Sequence, residues 1–277
     1  MRSTLIVLCS MFSFSTNLMA KNQVNYQISI PVPNSHYAWV EMEFTANHDG
    51  PSGLITLPTW TPGSYLLREF SRNVNRVYMH KTSAPKTMVP LKQQSKNQWI
   101  VEAKKGEKIT ISYEIYCFEF SVRTSYITNE QALLNMASVL MFVEGQTDVS
   151  GSLTVKFPET WKSVATSLEE EKSANKAAGQ ASFKFRNYDE LADSPVQLGN
   201  FDTFEFEVAG VPHRVAMVGR NNANIQQLKI DMQKICNTMF EIVDEFPSET
   251  EPCKPYVFIV QNVEMAAADW STPTPLY

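Results

Sequence analysis

The feature that most constrains the fold is an alternation of apolar and polar residues with a period of two, which recurs between residues 24 and 199. Val40, Met42 and Phe44 alternate with polar residues, as in a strand that buries one face. Other short runs bounded by turn residues are residues 26–31, 99–103, 109–120, 152–157, 163–167 and 181–185. Several short strands with regular turn signals predict a mainly β, sandwich-like N-terminal domain.

Two segments between these strands carry predictions of their own. Residues 104–107 contain Gly106 and suit a hairpin loop that joins the runs 99–103 and 109–120. Residues 169–180 are charged, rich in alanine and poor in large apolar residues, so they predict a solvated loop or a frayed helix.

A different pattern begins after residue 200. Residues 201–208 alternate cleanly, residues 210–213 suit a turn, and residues 214–218 return as a second strand. Asn221 or Asn222 is expected to cap a long amphipathic helix that ends before Pro247, and residues 256–260 predict a buried strand. The order hairpin, helix, strand predicts the opening of a second, mixed domain of the α+β type.

The chain of 277 residues is therefore expected to have four parts. Residues 1–20 are expected to be a signal peptide, because Arg2 precedes a short apolar run and Ala20 offers a cleavage site. Residues 21–198 form the β-rich domain, 199–264 begin the second domain, and 265–277 form an aberrant tail. No run provides the roughly 20 apolar residues that a transmembrane helix needs. The expectation is an exported protein, periplasmic or secreted, with no transmembrane segment.

Composition narrows the range of partners and cross-links. A net charge of −5 argues against nucleic acid as a partner, because nucleic-acid binding requires a basic face. Cys9 leaves with the signal peptide, so at most one disulfide is expected among the remaining three cysteines. Cys236 and Cys253 are the favoured pair, since they bracket a helix end and the following loop, whereas Cys117 is expected to be a buried thiol.

Residues 57–74 are unlike the strands around them. Pro58 and Pro62 exclude a helix interior or a central strand, and Pro62-Gly63 predicts a tight turn. Ser64 can cap the run that follows. That run carries Arg68 and Arg72, with Arg76 four residues further on, and a spacing of four places side chains on one face of a helix or a strand.

This arginine row has two interpretations. It can be a surface row paired with local carboxylates such as Glu69, as most exposed charges are. It can instead bind a carboxylate or bridge two domains. The acidic residues Asp189, Glu190 and Asp193 are expected to serve a turn, with Asp193 capping it ahead of Ser194-Pro195.

The chain shows no catalytic motif of its own. Its four histidines have no second histidine three to five residues away, so there is no His-Glu-x-x-His zinc helix. No Gly-x-Ser-x-Gly elbow is present, and a lone histidine after a turn, such as His213, is more often structural. The sequence therefore predicts no catalytic residue and no metal ligand.

Four separated motifs nevertheless carry a resemblance. They are Leu57-Pro58-x-Trp60-x-Pro62-Gly63-Ser64-Tyr65-x-x-Arg68-x-Phe70-x-Arg72-Asn73, Ser121-Val122-Arg123-Thr124, Tyr188-Asp189-Glu190-Leu191-x-Asp193-Ser194-Pro195 and Gly210-Val211-Pro212-His213. Together they resemble the N-terminal portion of the M61 family of glycyl aminopeptidases, over residues 24–264. Members of that family are zinc metallopeptidases that usually also contain a PDZ domain.

The resemblance implies a β-rich domain followed by a thermolysin-like catalytic domain. In the full-length family enzyme, a His-Glu-x-x-His helix binds zinc, which activates water, and the substrate is a peptide with a preferred N-terminal glycine. Set beside the other motifs, residues 57–74 and the motif of residues 121–124 supply candidate contacts with substrate or with the catalytic domain. These candidates are Tyr65, Arg68, Arg72 and Arg123.

The chain departs from the family pattern after residue 264. The family continues into Gly-Gly-Leu-Glu-His, whereas this chain reads Met265-Ala266-Ala267-Ala268-Asp269-Trp270 and onward. The genetic code allows a neighbouring reading frame of these codons to spell Gly-Gly-Gly-Gly-Leu-Glu-His-x-Asn-Ser-Thr. Residues 265–277 are therefore expected to be a frameshifted version of the family motif.

Three functional hypotheses follow. The first is the N-terminal part of an exported M61-type aminopeptidase that binds no zinc and is inactive by itself. The second is a stand-alone module that binds peptides or glycans without peptidase activity, anchored by arginines such as Arg68, Arg72, Arg76 and Arg123. The third is an incomplete product without function, which would expose the apolar face of its long helix and aggregate.

Overall fold

The computed structural model of the chain describes residues 23–47, 50–171, 178–243 and 255–263. The strands of the first part are β1 Val24–Ser29, β2 Tyr37–Thr45, β3 Gly50–Thr56, β4 Val74–Lys81, β5 Val89–Pro90, β6 Lys92–Ser95, β7 Gln98–Ala103, β8 Lys108–Tyr116, β9 Tyr126–Ile127 and β10 Gln131–Leu134. The later strands are β11 Phe142–Val143, β12 Gly151–Lys156, β13 Ser163–Ala165, β14 Glu169–Glu170, β15 Gln180–Phe185, β16 Val196–Gly199, β17 Asp202–Val208, β18 Val211–Val218 and β19 Tyr256–Gln261. The α-helices are α1 Met136–Val139, α2 Tyr188–Ala192 and α3 Ile225–Val243.

Three sheets share the large core of the N-terminal region, residues 23–200. The largest has the order β14-β15-β12-β1-β2-β8-β4-β5, and the others are β13-β16-β10-β9 and β11-β3-β7-β6. Fully buried side chains from all three sheets, such as Ile111, Ile55 and Leu134, belong to one contiguous apolar cluster. This arrangement confirms the predicted mainly β fold. On β8, Ile109, Ile111, Tyr113, Ile115 and Cys117 are all buried, as the alternation predicts.

Two predictions about connections are wrong. A turn does form at residues 104–107, where Glu107 N–H donates to the Lys104 carbonyl, but it does not close a hairpin. Strand β7 pairs with β3 and β6, whereas β8 pairs with β2 and β4, so the turn crosses from one sheet to another. Both strands bury one face in the same core, and local alternation does not distinguish partners within a sheet from partners across it.

The second prediction, a solvated loop or frayed helix over residues 169–180, is wrong at the ends of that run, since Gln180 begins β15. Glu169 and Glu170 form strand β14 at the edge of the large sheet, paired with Lys184 and Phe183 of β15. The charge of this run suits an edge strand, which faces solvent and resists pairing with other chains. Residues 172–177 lie outside the described part of the chain.

Three buried tyrosines hold the segment after α1 in place. The hydroxyl groups of Tyr113, Tyr188 and Tyr26 donate to the carbonyl oxygens of Val139, Leu140 and Met141, at 2.8, 2.6 and 2.8 Å. Tyr113 also accepts from the Met141 N–H at 3.1 Å. Three adjacent buried peptide groups thus obtain partners from strands β1 and β8 and from helix α2, which avoids the cost of unpaired polar groups in the core.

The C-terminal region, described from residue 201 to 243 and from 255 to 263, has a sheet and core of its own. Strands β17 and β18 form the predicted hairpin, but the turn predicted at residues 210–213 is wrong, because residues 211–213 already pair with β17. The turn residues are Ala209 and Gly210, with φ of 49° and 78°. Strand β19 runs parallel to β18 and is half-buried rather than buried, with Tyr256 exposed. The buried cluster of this region comprises Phe206, Val208, Val215 and Met217.

Helix α3 covers one side of this sheet. Leu228, Met232, Cys236 and Phe240, spaced four residues apart, pack against the cluster. The helix begins later than predicted, because Asn224 rather than Asn221 or Asn222 accepts from the Gln227 N–H at 3.2 Å. Asn221 instead bonds the Ala223 N–H in the preceding loop. The predicted stop at Pro247 lies outside the described residues.

A chain of glutamine side chains joins the two regions. Gln197 in β16, which is fully buried, donates to Gln131 in β10 at 3.0 Å. Its carbonyl oxygen accepts from Gln261 in β19 at 2.6 Å. The predicted boundary at residues 198–199 falls directly after this contact and stays a prediction, as do the signal peptide of residues 1–20 and the tail of residues 265–277, which lie outside the described part.

Candidate functional site

The motif loop, residues 57–74, folds back on itself at the predicted turn. Gly63 has φ of 76°, the left-handed conformation that a Pro-Gly turn requires. The Trp60 indole N–H donates to the Ser64 carbonyl at 2.6 Å, and the Arg68 N–H donates to the Thr59 carbonyl at 2.6 Å. Ser64 does not cap a helix, because its hydroxyl accepts from the Leu66 N–H in a local turn.

Asn135 ties this loop to the motif of residues 121–124. Its side-chain amide exchanges hydrogen bonds with the Thr61 hydroxyl at 3.0 and 3.2 Å and donates to the Val122 carbonyl at 3.3 Å. Two motifs separated by about fifty residues of sequence therefore lie side by side. Sequence reasoning did not select Asn135, because its only local signal is a position directly before the short helix α1.

The arginines of the row lie in three different backbone conformations. Arg68 is in irregular loop, Arg72 is in a 3₁₀ turn, and Arg76 has φ of 55° in a bulge of β4. The helical and strand periods on which the one-face prediction rested therefore do not apply.

Two of these arginines have carboxylate partners from the β8 side. Arg72 pairs with Glu119 at 3.1 Å and Arg76 with Glu114 at 3.5 Å, both on the protein surface. Glu69 pairs with Lys96 at 2.6 Å rather than with an arginine, and the hydrogen bond from Lys96 lowers the pKa of Glu69. For Arg72 and Arg76 the structure shows the paired surface arrangement.

Arg68 and Arg123 differ from the other two arginines. Neither guanidinium group forms an ion pair with any residue of the described part of the chain. The Nε atom of Arg68 is buried without a hydrogen-bond partner there. The candidate contacts thus separate into a paired residue, Arg72, and two cations without a carboxylate.

A groove lies between the motif loop and the segment that follows β8. One part, with a volume of about 230 Å³, is lined by Leu67, Arg68, Glu69, Phe70, Arg72, Asn73, Glu119 and Thr124. An adjoining part of about 420 Å³ shares Phe70, Arg72, Asn73, Glu119 and Thr124 and extends to Phe118 and Ser138. We call the two parts together the arginine groove.

The motif loop and the segment that follows β8 expose apolar side chains, of which Leu67 and Phe118 line the arginine groove. Tyr65 is fully exposed, and Leu67 and Val122 are 81% and 77% exposed. Phe118 and Phe120 are also exposed. Phe118 stacks on Tyr126 with ring centroids 5.2 Å apart, and Phe120 meets Tyr126 edge-on at 5.1 Å. Apolar side chains concentrated at one place on a protein surface are typical of a contact with a partner or another domain.

The motif of residues 188–195, which contains Asp189, Glu190 and Asp193, lies across a second groove from the motif loop. This groove has a volume of about 630 Å³, and its walls include Trp60 and Pro62 on one side and Asp189 and Asp193 on the other. Asn187, not Asp193, makes the side-chain cap of α2 by accepting from the Glu190 N–H at 2.8 Å. Asp193 ends the helix through its backbone N–H, so the predicted capping role is corrected.

The histidines of the described residues do not form a metal site. His36 uses Nδ1 for the Ile127 carbonyl at 2.7 Å, and the ring of buried His213 stacks on Phe206 with Nδ1 at 2.9 Å from the Val211 carbonyl. Within the described ranges no three His, Cys, Asp or Glu residues come together as metal ligands. These residues do not fit a catalytic zinc ion.

The cysteines were predicted to include one disulfide. Cys117 is a buried free thiol, as expected, and burial raises its pKa to about 12. Cys236 is half-buried on α3 and has no disulfide partner among the described residues, and Cys253 lies outside them. The Cys236–Cys253 pairing stays a prediction.

No helix of the described part is long and apolar enough to cross a membrane.

The β-rich core and the smaller sheet with its helix can be compared with known proteins. The sequence of residues 25–200 matches the family model of the peptidase M61 N-terminal domain. The chain therefore belongs to the peptidase M61 N-terminal domain family. A comparison with curated proteins finds no match.

Solved structures show the same relationship. An aminopeptidase N family protein from Idiomarina loihiensis matches 85% of the chain at 30% identity, with a TM-score of 0.74. An M1 zinc metallopeptidase from Deinococcus radiodurans matches 88% of the chain at 10% identity with a TM-score of 0.55, a similarity of fold alone. The chain spans 38% of the Idiomarina protein and 57% of the Deinococcus protein.

Proposed function

We propose that this chain is the N-terminal portion of an exported zinc aminopeptidase and is inactive by itself. In the complete enzyme the zinc ion and its catalytic helix belong to the catalytic domain, and the β-rich domain supports that domain and contacts the peptide substrate. Tyr65, Arg68, Arg72 and Arg123 are its candidate contacts.

The observation that carries this proposal is the extent of the similarity. The family model matches residues 25–200, and the Idiomarina structure covers 85% of the chain, which is more than that domain alone. The sequence contains no His-Glu-x-x-His, and the described histidines do not converge on a metal site. A protein with this domain and without those ligands lacks the group that activates water in zinc peptidases.

An activity assay tests the proposal directly. The purified full chain is incubated with a glycine anilide substrate, with and without added zinc. We expect no release of the aniline above background in either condition. Zinc-dependent turnover by the purified chain would overturn the assignment of the catalytic group to another domain.

The export and frameshift parts of the proposal have their own tests. Export predicts that the protein from cells begins near Lys21, which N-terminal sequencing detects. The frameshift predicts that the neighbouring reading frame past codon 264 continues into a segment that encodes His-Glu-x-x-His. A gene that has no such segment in that frame contradicts the frameshift.

A second candidate function is a binding module without peptidase activity. Arg68 and Arg123, whose guanidinium groups have no ion-pair partner among the described residues, favour it together with the exposed apolar side chains on the same segments. Peptide binding by a chain whose gene encodes no peptidase segment in any frame would support this alternative over the first.

A further inference from the structure

We propose that the arginine groove binds the carboxylate of a peptide through the guanidinium group of Arg68. This inference deepens the proposed function, from which it takes the peptide as the ligand class. It assigns a specific role to one residue of the motif loop and separates that residue from its neighbours.

The first observation is the state of Arg68 itself. Its backbone N–H is held by the Thr59 carbonyl at 2.6 Å, so the loop has a defined position. Its Nε is nevertheless buried and unpaired within the described residues. A buried donor without an acceptor is unfavourable, so Arg68 is a cation whose hydrogen-bonding capacity the described residues leave unused.

The second observation is the charge balance of the groove. The other charged groups of its wall are already neutralised, because Arg72 pairs with Glu119 and Glu69 pairs with Lys96. Arg68 therefore contributes one uncompensated positive charge. A single charge matches a monoanionic carboxylate better than a dianionic phosphate, and the planar guanidinium group can bind both carboxylate oxygens.

The third observation is the shape of the site. The part that contains Arg68 opens into the larger part beside Phe118, so an extended chain can continue from the charged end. Asn73 lies in both parts, and its side chain makes no hydrogen bond with the described residues. Its amide can bond a peptide group next to the bound carboxylate.

Calorimetric titration of the full chain tests this assignment. The probe is N-acetyl-Gly-Gly-Gly with a free carboxylate, compared with the same peptide as a C-terminal amide. We expect binding of the free acid and a Kd at least about tenfold weaker for the amide, because the amide lacks the charge-assisted hydrogen bonds. Equal binding of the two peptides, or a Kd above about 10 mM for both, overturns the proposal.

Two further probes identify the source of the carboxylate. An amidated peptide with one internal glutamate tests whether an acidic side chain serves as well as a chain terminus; binding of either one supports the assignment to Arg68. Inorganic phosphate tests the charge argument. Phosphate that binds as tightly as the free acid contradicts the carboxylate assignment.

Variants connect the binding to Arg68. Arg68→Gln is expected to weaken binding of the free acid at least about tenfold, and Arg68→Lys to recover part of the loss, because lysine keeps the charge but not the planar fork. Arg220→Gln removes the same charge from an exposed site in the C-terminal region and should leave Kd within about twofold.

The failure of this proposal is distinguishable from failure of the proposed function. The titration requires neither zinc nor turnover, and the comparison of acid with amide needs no mutation. Unchanged binding in Arg68→Gln, with thermal melting that shows a folded protein, overturns the groove assignment and leaves the aminopeptidase proposal intact.

Discussion

The N-terminal and C-terminal regions bury their apolar side chains to different extents. In the N-terminal region three sheets enclose one large core, and buried polar groups such as the carbonyls of residues 139–141 have partners. In the C-terminal region one helix covers one side of a three-stranded sheet. The outer face of that helix still exposes Ile230, Ile235, Met239 and Ile242.

The two regions therefore differ in how much of their folding stability comes from their own core. A contiguous core that contacts several sheets supplies its own stability, whereas a small cluster under one helix gains much of its stability from whatever covers it. The exposed apolar face of α3 agrees with the proposal that the complete enzyme has further structure on that side. The comparison can be tested at matched residues in the two regions.

The greatest contrast is predicted between alanine substitutions of one isoleucine in each region. Ile111→Ala removes a fully buried side chain of central strand β8 and should lower the free energy of unfolding by about 3–4 kcal/mol. Ile242→Ala changes a side chain that is 71% exposed on α3 and should change it by less than about 0.5 kcal/mol. Urea unfolding measures both. A cost above about 1.5 kcal/mol for Ile242→Ala would show that this face of α3 is covered in solution.

The next effect concerns the two described cysteines. Burial raises the pKa of Cys117 to about 12, so at pH 8 about one thiol in ten thousand is ionised, and Cys236 is less buried. Under reducing conditions iodoacetamide should modify Cys236 at least about 100-fold faster than Cys117, as read by peptide mass spectrometry. Equal rates would mean that the core around Cys117 opens as readily as α3.

The same labelling tests the predicted disulfide. Without reductant, a Cys236–Cys253 bond protects Cys236 in the natural chain, and Cys253→Ser restores its labelling. Rapid labelling of Cys236 in the oxidised natural chain contradicts the pairing.

A smaller effect is expected from the tyrosine cluster. Tyr113→Phe leaves the Val139 carbonyl and the Met141 N–H unpaired in the core and should cost about 2 kcal/mol of unfolding free energy. Tyr116→Phe is the matched control, since that hydroxyl is at the surface and makes no hydrogen bond with the described residues. Equal costs in denaturant titrations would remove the special role of the cluster.

The smallest effect is the pH dependence of the same variant. Burial raises the pKa of Tyr113 above its ordinary value of 10.0, so the unfolded chain loses this proton first as pH rises. The stabilising contribution is therefore complete below pH 10 and is lost above it, by about 1.4 kcal/mol at pH 11. The natural chain should lose this amount between pH 9 and pH 11 in excess of Tyr113→Phe. A constant difference between the two chains contradicts the buried, neutral tyrosine.

Local pattern was enough to predict most of the strands. The alternation in β2, β8 and β17 identified both the elements and the faces that are buried, because side chains in a strand point alternately to its two sides. The turn at Pro62-Gly63 was also predictable from local sequence, because proline fixes φ and glycine permits the positive φ that the turn needs.

Pairing was not predictable in this way. The turn at residues 104–107 joins two sheets, and β1 lies parallel to β12, more than a hundred residues away. Alternation indicates that a strand has a buried face, but it does not indicate which strand pairs with it. The start of α3 was misplaced because Asn221, Asn222 and Asn224 all have the chemistry of a cap, and only the backbone geometry selects one of them.

The family, the mainly β class and the candidate residues could therefore be predicted from the sequence, because motifs and alternation are local properties of the chain. Only the tertiary structure decided which of these candidates lack partners. Arg72 and Arg76 find carboxylates on a neighbouring segment, whereas Arg68 faces a groove without one. An ion pair depends on distances between residues that are far apart in sequence, and the fold alone sets those distances.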